Sequence, residues 1–222
     1  MILEKLRIEV CEVNKTLLKY NLVTMHSGNA SGRDFENNLV AIKPSGVDYE
    51  TLKPEDIVVV DLNGKVVDGN LKPSVDTPHH LFLYRNKPEF GGIIHTHSNY
   101  ATSFAIHGKN IPVCLTAIAD EFGEDIICTE YVSNEENKIG ETILKYLNKS
   151  PAILLRNHGV FTFGKNPKEA LKAAIMVEDV AKTVSLSMIF GSPKKLPKKE
   201  IDKWWNRYHN VYGQNIKESD KK

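Results

Sequence analysis

The sequence predicts an α/β fold: a three-layer sandwich in which a central, mainly antiparallel β-sheet is flanked by helices. Three observations carry this expectation. Helical periodicity stands out at the N-terminus and again after Asn166, while the stretches between are short, apolar and strand-like. Those strands are joined largely by hairpin signals, of which Asn63-Gly64 is the clearest, since this dipeptide tolerates the positive φ angles of a tight turn. With 41% hydrophobic residues in 222, one packed core can absorb the chain as a single domain.

Taken in order, Leu3, Leu6, Val10, Val13 and Leu17 step by three and four, the spacing of an amphipathic helix and not of a targeting segment. LVAIKPSG and DIVVVDLNGKVVDG then read as strands. Thr77-Pro78 opens a helix through HHLFLYRN, because proline is tolerated at the first helical position, and Pro88 lies just past its end. GGIIHTHS is the next strand, NYATSFAIHG a short helix stopped at Gly108, and IPVCL, DIICTEYV, AILLRN and GVFTFG are further strand-like segments. Asn166 as N-cap, Pro167 at N1, Glu169 at the capping-box position and apolar residues from Ala170 to Val184 define the last long helix, with Gly191 beyond it. A basic connector, PKKLPKKE, leads to the aromatic segment IDKWWNRYHNVYGQ. The domain is placed at residues 1–214 and a solvated polar tail at 215–222.

Charge and cysteine usage exclude several function classes. Twenty-nine basic residues against 28 acidic leave a net charge of +1, which gives no footprint for nucleic acid or an anionic membrane surface. No apolar run approaches the eighteen or so residues of a membrane span. Cys11, Cys114 and Cys128 are scattered outside any CxxC pattern, so no disulfide framework is expected and a cytoplasmic setting fits best.

The chemistry gathers around HTHS. Side chains two apart on a strand point to the same face, so His95 and His97 emerge together and can reach one ion. The pair alone is weak, because among eight histidines an H-x-H would arise by chance roughly one time in four. A third histidine, His158, follows another apolar strand and precedes Gly159, where the backbone can turn tightly beside a ligand. Three histidines without a nearby cysteine match a catalytic zinc site, which leaves a coordination position open. Manganese or cobalt would also suit imidazole ligands. His26, His79, His80, His107 and His209 read as helix-surface or loop residues.

A second, polar cluster comprises SGNASG (27–32), KPSG (43–46) and KPS (72–74). Such turns present backbone N–H groups and hydroxyls to an anion, with Lys43 or Lys72 adding charge, although each could be a plain turn. Asp76, in SVDTP, could serve the helix start as a cap, and Asp120, in LTAIADEFG, could be a cap or a surface charge.

Together the segments IKPSGVDYETLKPEDIVVVDLNGKVVDG, KPSVDTPHHLFLYR, GGIIHTHSNYAT, ADEFG with DIICT, NHGVFTFGKNPKEA and YGQ resemble the class II aldolase/adducin family, from about residue 5 to 214. The likeness is greatest to its sugar-phosphate 4-epimerases. It implies one Zn2+ per chain on His95, His97 and His158, with Asp76 beside it as metal-site carboxylate and proton carrier. It also implies a substrate phosphate pocket of Asn29, Ser45, Gly46 and Ser74, with Lys43 close by. Asp120 matches an acid/base residue of the epimerases, and Tyr212 a catalytic tyrosine that the family delivers from a neighbouring subunit of a homotetramer. The activity implied is interconversion of L-ribulose 5-phosphate and D-xylulose 5-phosphate: C3–C4 of the ketose is cleaved, the aldehyde rotates, and re-addition inverts C4.

Three positions depart from the epimerase pattern. Val75 replaces the second of two serines, Ile118 a histidine, and Trp204 or Trp205 another histidine in a shortened C-terminal segment. The alternatives are a zinc aldolase acting on a ketose phosphate such as L-fuculose 1-phosphate, and a non-catalytic interaction module like the adducin head. The aldolases carry glutamate where Asp76 stands, and a bare interaction module would not need the full ligand set.

Overall fold

The computed structural model describes residues 1–135 and 137–213, so Gln214 and the expected tail at 215–222 lie outside the described residues. Helix α1 (Glu4–Lys19) is followed by strands β1 (Asn29–Asp34), β2 (Leu39–Ile42), β3 (Val58–Asp61) and β4 (Val66–Asp68). Then come α2 (Thr77–Asn86), β5 (Gly92–Thr96), α3 (Asn99–Ile106), α4 (Thr116–Glu121) and α5 (Lys138–Tyr146). The chain closes with β6 (Ala152–Leu155), β7 (Gly159–Gly164), α6 (Pro167–Ser187) and α7 (Lys198–Asn210). The strands form one sheet in the order β4-β3-β2-β1-β5-β7-β6, and every neighbouring pair is antiparallel.

Side-chain alternation sorts the sheet into two buried faces. On one, Ala30 and Ile94, with Leu154 and Val160 farther along, meet the apolar stripes of α1, α3 and α6. On the other, Val40, Val60, Ile93, Ile153, Phe161 and Phe163 pack with α2 residues Leu81 and Tyr84 and α5 residues Ile139 and Ile143. This is the expected three-layer sandwich. Within the stripe of α1, Asn14 is fully buried, and its carboxamide accepts from the Ala30 N–H and donates to the Ala30 carbonyl, tying the helix to β1. The cap of α6 forms as its sequence specifies. Asn166 Oδ1 accepts from Glu169 N at 2.9 Å, while the Glu169 carboxylate reaches one residue farther back, to Lys165 N.

Several local expectations are corrected. SGNASG is a turn only at its start; from Asn29 it is β1, in the middle of the sheet. IPVCL and DIICTEYV form isolated bridges, not strands, because part of their backbone bonds to side chains: Val113 N donates to Asp125 Oδ1 and Cys128 N to Asn110 Oδ1. His79 and His80 are buried, since α2 lays that face on the sheet and His80 Nδ1 lies 2.7 Å from Ser31 Oγ. The aromatic C-terminal segment is a regular helix, α7, packed along α4.

Candidate metal centre and its cleft

Strand β5 ends at Thr96, the last residue paired with β7, and β7 begins at Gly159 directly after His158. The antiparallel register thus brings the end of one strand and the start of the other to the same edge of the sheet. His95, His97 and His158 converge there. The ring centroids lie 4.6 Å (His95–His97), 4.8 Å (His95–His158) and 5.3 Å (His97–His158) apart. One potential ligand atom from each falls within 4.8 Å of the others. Gly159 makes the approach possible, because a Cβ there would sit 2.4 Å from Thr96 O and 2.7 Å from His97 Cδ2.

The donor set fits a divalent ion. His95 Nδ1 lies 3.0 Å from the Val160 carbonyl, which fixes the proton on Nδ1 and leaves the Nε2 lone pair for a metal. Burial pushes His95 down to about 3, with Asp76 opposing, and burial lowers His97 and His158 as well. All three imidazoles are therefore held neutral near pH 7, the protonation state that coordinates.

Asp76 stands at the N-cap of α2, yet its side chain makes no cap bond. Its Oδ2 accepts from Asn29 Nδ2 at 2.6 Å, and Asn29 is the β1 residue directly opposite His95. Burial works to raise the carboxyl, but the imidazoles, led by His95 and His80, where acid conditions charge them, and the Asn29 amide together bring it below its usual range. Asp76 is thus an ionised acid beside the histidines, held by Asn29 and outside the three-histidine ligand group. Asn29 Oδ1 is buried without a partner.

The two KPS segments pair with each other: Ser45 N donates to Lys72 O, Ser74 N to Lys43 O, and Pro44 bridges Pro73. They wall a cleft of about 200 Å3 that runs to the histidines and is lined by Asn29, Lys43, Ser45, Gly46, Ser74, Val75 and Asp76. Lys43 is only 1% exposed. Its ammonium sits 4.5 Å over the Tyr49 ring, and burial lowers it to about 8 while Asp48 opposes the shift. Among the described residues no carboxylate pairs with it. Lys72 does not line the cleft.

Asp120 and Tyr212 lie elsewhere. Asp120, on α4, has a buried Oδ1 without a hydrogen-bond partner; burial raises its carboxyl, against the opposing charges of Arg207 and His209. Tyr212, just past α7, is exposed, with the Arg207 guanidinium 5.5 Å over its ring and Tyr208 stacked on it. Neither residue lines the cleft of its own chain. Ile118 is fully buried in the core, and Trp204 packs against that same cluster. His26 and Asn134 line the cleft, which the sequence did not indicate; Asn134 Oδ1 lies 2.8 Å from His79 Nε2, a pairing across 55 residues with no local signal.

Residues 8–185 match the family model for the class II aldolase and adducin N-terminal domain. The chain belongs to the class II aldolase/adducin family. An L-fuculose 1-phosphate aldolase structure shares 31% identity over 92% of this chain and 96% of its own, with a TM-score of 0.83. YgbL of Escherichia coli superposes over 92% of this chain and 100% of its own, at 22% identity and a TM-score of 0.80. The L-fuculose 1-phosphate aldolase of Glaciozyma antarctica PI12 covers 92% of this chain and 81% of its own, at 20% identity and a TM-score of 0.78. The last two speak for the fold alone. Among the described residues, no helix of this class II aldolase-like chain is long and apolar enough to cross a membrane.

Proposed function

We propose that the chain is a divalent-metal-dependent sugar-phosphate epimerase that interconverts L-ribulose 5-phosphate and D-xylulose 5-phosphate by carbon–carbon cleavage and re-addition. The observation that supports this reading is the make-up of the cleft: three neutral imidazoles and the ionised Asp76 share one lining with Lys43, without a carboxylate partner among the described residues, and with Ser45, Gly46 and Ser74. A phosphorylated ketose fits that arrangement. A zinc ion held by His95, His97 and His158 would act as a Lewis acid toward the ketose oxygens and lower the cost of cleaving the adjacent bond.

The chain's own residues supply the rest. Lys43 offers its charge to the phosphate, the Ser45 and Ser74 hydroxyls donate to its oxygens, and Asp76 can hold a proton beside the reacting oxygens. Inversion requires proton carriers on both sides of the rotating aldehyde. Asp120 and Tyr212 suit that role, and because they lie outside their own cleft they would act on the cleft of a second copy in a homotetramer. Asp76 favours the epimerase, since the resemblance places glutamate there in the aldolases.

A second reading, cleavage of a ketose phosphate without re-addition, is favoured by the 31% identical L-fuculose 1-phosphate aldolase. The two separate in one assay. Zinc-loaded protein incubated with L-ribulose 5-phosphate is expected to yield D-xylulose 5-phosphate without free dihydroxyacetone or glycolaldehyde phosphate, and a chelator should stop turnover without unfolding the protein. Release of fragments, or cleavage of L-fuculose 1-phosphate alone, would establish the aldolase. Full turnover by metal-free protein would overturn both.

A further inference from the structure

His97 occupies an unsupported position. Its neighbour Thr96 is the last residue of β5 in the ladder, and α3 begins only at Asn99, so two residues bridge sheet and helix. The obvious local anchor is absent. Ser98 is the N-cap of α3, yet its side chain makes no cap bond, and its Oγ is buried without a partner. The opening N–H groups of the helix are satisfied from elsewhere: Tyr100 N donates to Glu178 Oε1 at 2.9 Å and Ala101 N to Glu178 Oε2 at 2.9 Å. The next, Thr102 N, already bonds to Ser98 O within the helix.

Glu178 belongs to α6, and among the described residues no lysine or arginine pairs with it. Its charge faces the positive end of the α3 dipole, where an anion is favoured. Apolar packing keeps the two helices in place, with Ala101, Phe104 and Ala105 in one cluster with Val177, Val180, Ala181 and Val184.

We infer that Glu178 is a positioning residue for the metal centre: by clamping the first turn of α3, it fixes the chain that carries His97. This rests on the reading of His95, His97 and His158 as a metal site. Glu178 is 81 positions away from His97 in the chain and is absent from both the ligand group and the cleft lining, so its action is geometric. Supporting groups of this kind commonly change metal affinity by about 10- to 100-fold.

The test uses the full chain, with zinc affinity measured by chelator competition and ligand geometry by the visible spectrum of the cobalt-substituted protein. Glu178→Gln keeps the shape but turns an NH2 group toward one of the two N–H donors. It is expected to weaken zinc about tenfold or more and to alter the cobalt spectrum. Glu178→Asp, which keeps the charge but is too short to bridge both donors, should fall between. Val184→Ala, a cavity in the same helix, is expected to lower the Tm while leaving affinity and spectrum unchanged. Glu178→Gln with wild-type affinity and spectrum overturns the inference, as does an equal loss of affinity in Val184→Ala. Should Glu178→Gln fail to fold, Glu178→Asp decides on the same terms. Wild-type protein that takes up no zinc removes the metal-centre reading, and this inference with it.

Discussion

Lys43 illustrates how one buried charge would link stability to recognition with opposite signs. Its folded value, about 8, lies below the ordinary 10.5 because burial disfavours the ammonium. Between those values the unfolded chain binds more protons than the folded one, so this group makes the fold more stable as pH rises from about 8 to 10.5. If Lys43 holds the substrate phosphate, as proposed, recognition runs the other way, since only the ammonium attracts the anion. kcat/KM should therefore fall above pH about 8, while kcat falls later, because bound phosphate raises the lysine again. Lys43→Met is expected to lower kcat/KM by roughly ten- to a hundredfold, the scale of a charge-assisted hydrogen bond, and to abolish this alkaline limb. A pH–rate profile of wild type and variant checks both, and an unchanged limb in Lys43→Met would assign it to another group.

At the scale of elements, the candidate site is a product of strand register, and Gly159 is where that register meets the three histidines. Gly159→Ala would drive a methyl group against the Thr96 carbonyl and the His97 ring, forcing β5 and β7 apart at the ends that carry the histidines. The expected outcome is a loss of about 1–3 kcal/mol in stability, typical of overpacking, together with weaker zinc binding, read by urea denaturation and metal titration. The same register explains what the sequence could convey. His95 and His97 were legible because period two is a strand property, and α6 because its cap, proline and apolar stripe agree. Strand β1 was not, since Asn, Ser and Gly are turn formers and Ala has little strand preference. Gly32 in it has a tertiary cause: Leu6 of α1 and Pro167 of α6 press on it, and a Cβ there would meet them at 2.8 and 2.7 Å. Helix α5 was not anticipated from the sequence; its Gly140 makes room for Phe82, whose Cδ1 would lie 2.5 Å from a Cβ. Both signals are tertiary, and a local reading of composition has no access to them.

At the scale of the whole molecule, the positions of Asp120 and Tyr212 decide how subunits would share a site. The sequence marks both residues but carries no information on their distance from the histidines. The structure puts Asp120 on α4 and Tyr212 just past α7, two helices that pack together, and both outside their own cleft. If a second copy completes the site, one surface delivers both groups. Complementation should then follow a specific pattern. A chain with His97→Gln has a damaged cleft but an intact delivering surface, and a chain with Asp120→Asn has the reverse. In mixed cyclic oligomers, about one site in four pairs an intact cleft with an intact donor, so equal mixing of two nearly inactive proteins should restore up to roughly a quarter of wild-type turnover. Mixing Asp120→Asn with Tyr212→Phe should restore nothing, because every donor surface then lacks one of its two groups. Each variant alone is expected to lose on the order of a hundredfold, the usual scale for a general acid–base group, while Asp120→Asn and Tyr212→Phe retain their zinc. Recovery in the Asp120/Tyr212 mixture would show that the two residues serve different clefts. No recovery in the His97/Asp120 mixture, from oligomers shown to exchange subunits, would show that Asp120 does not act on the cleft of a second copy.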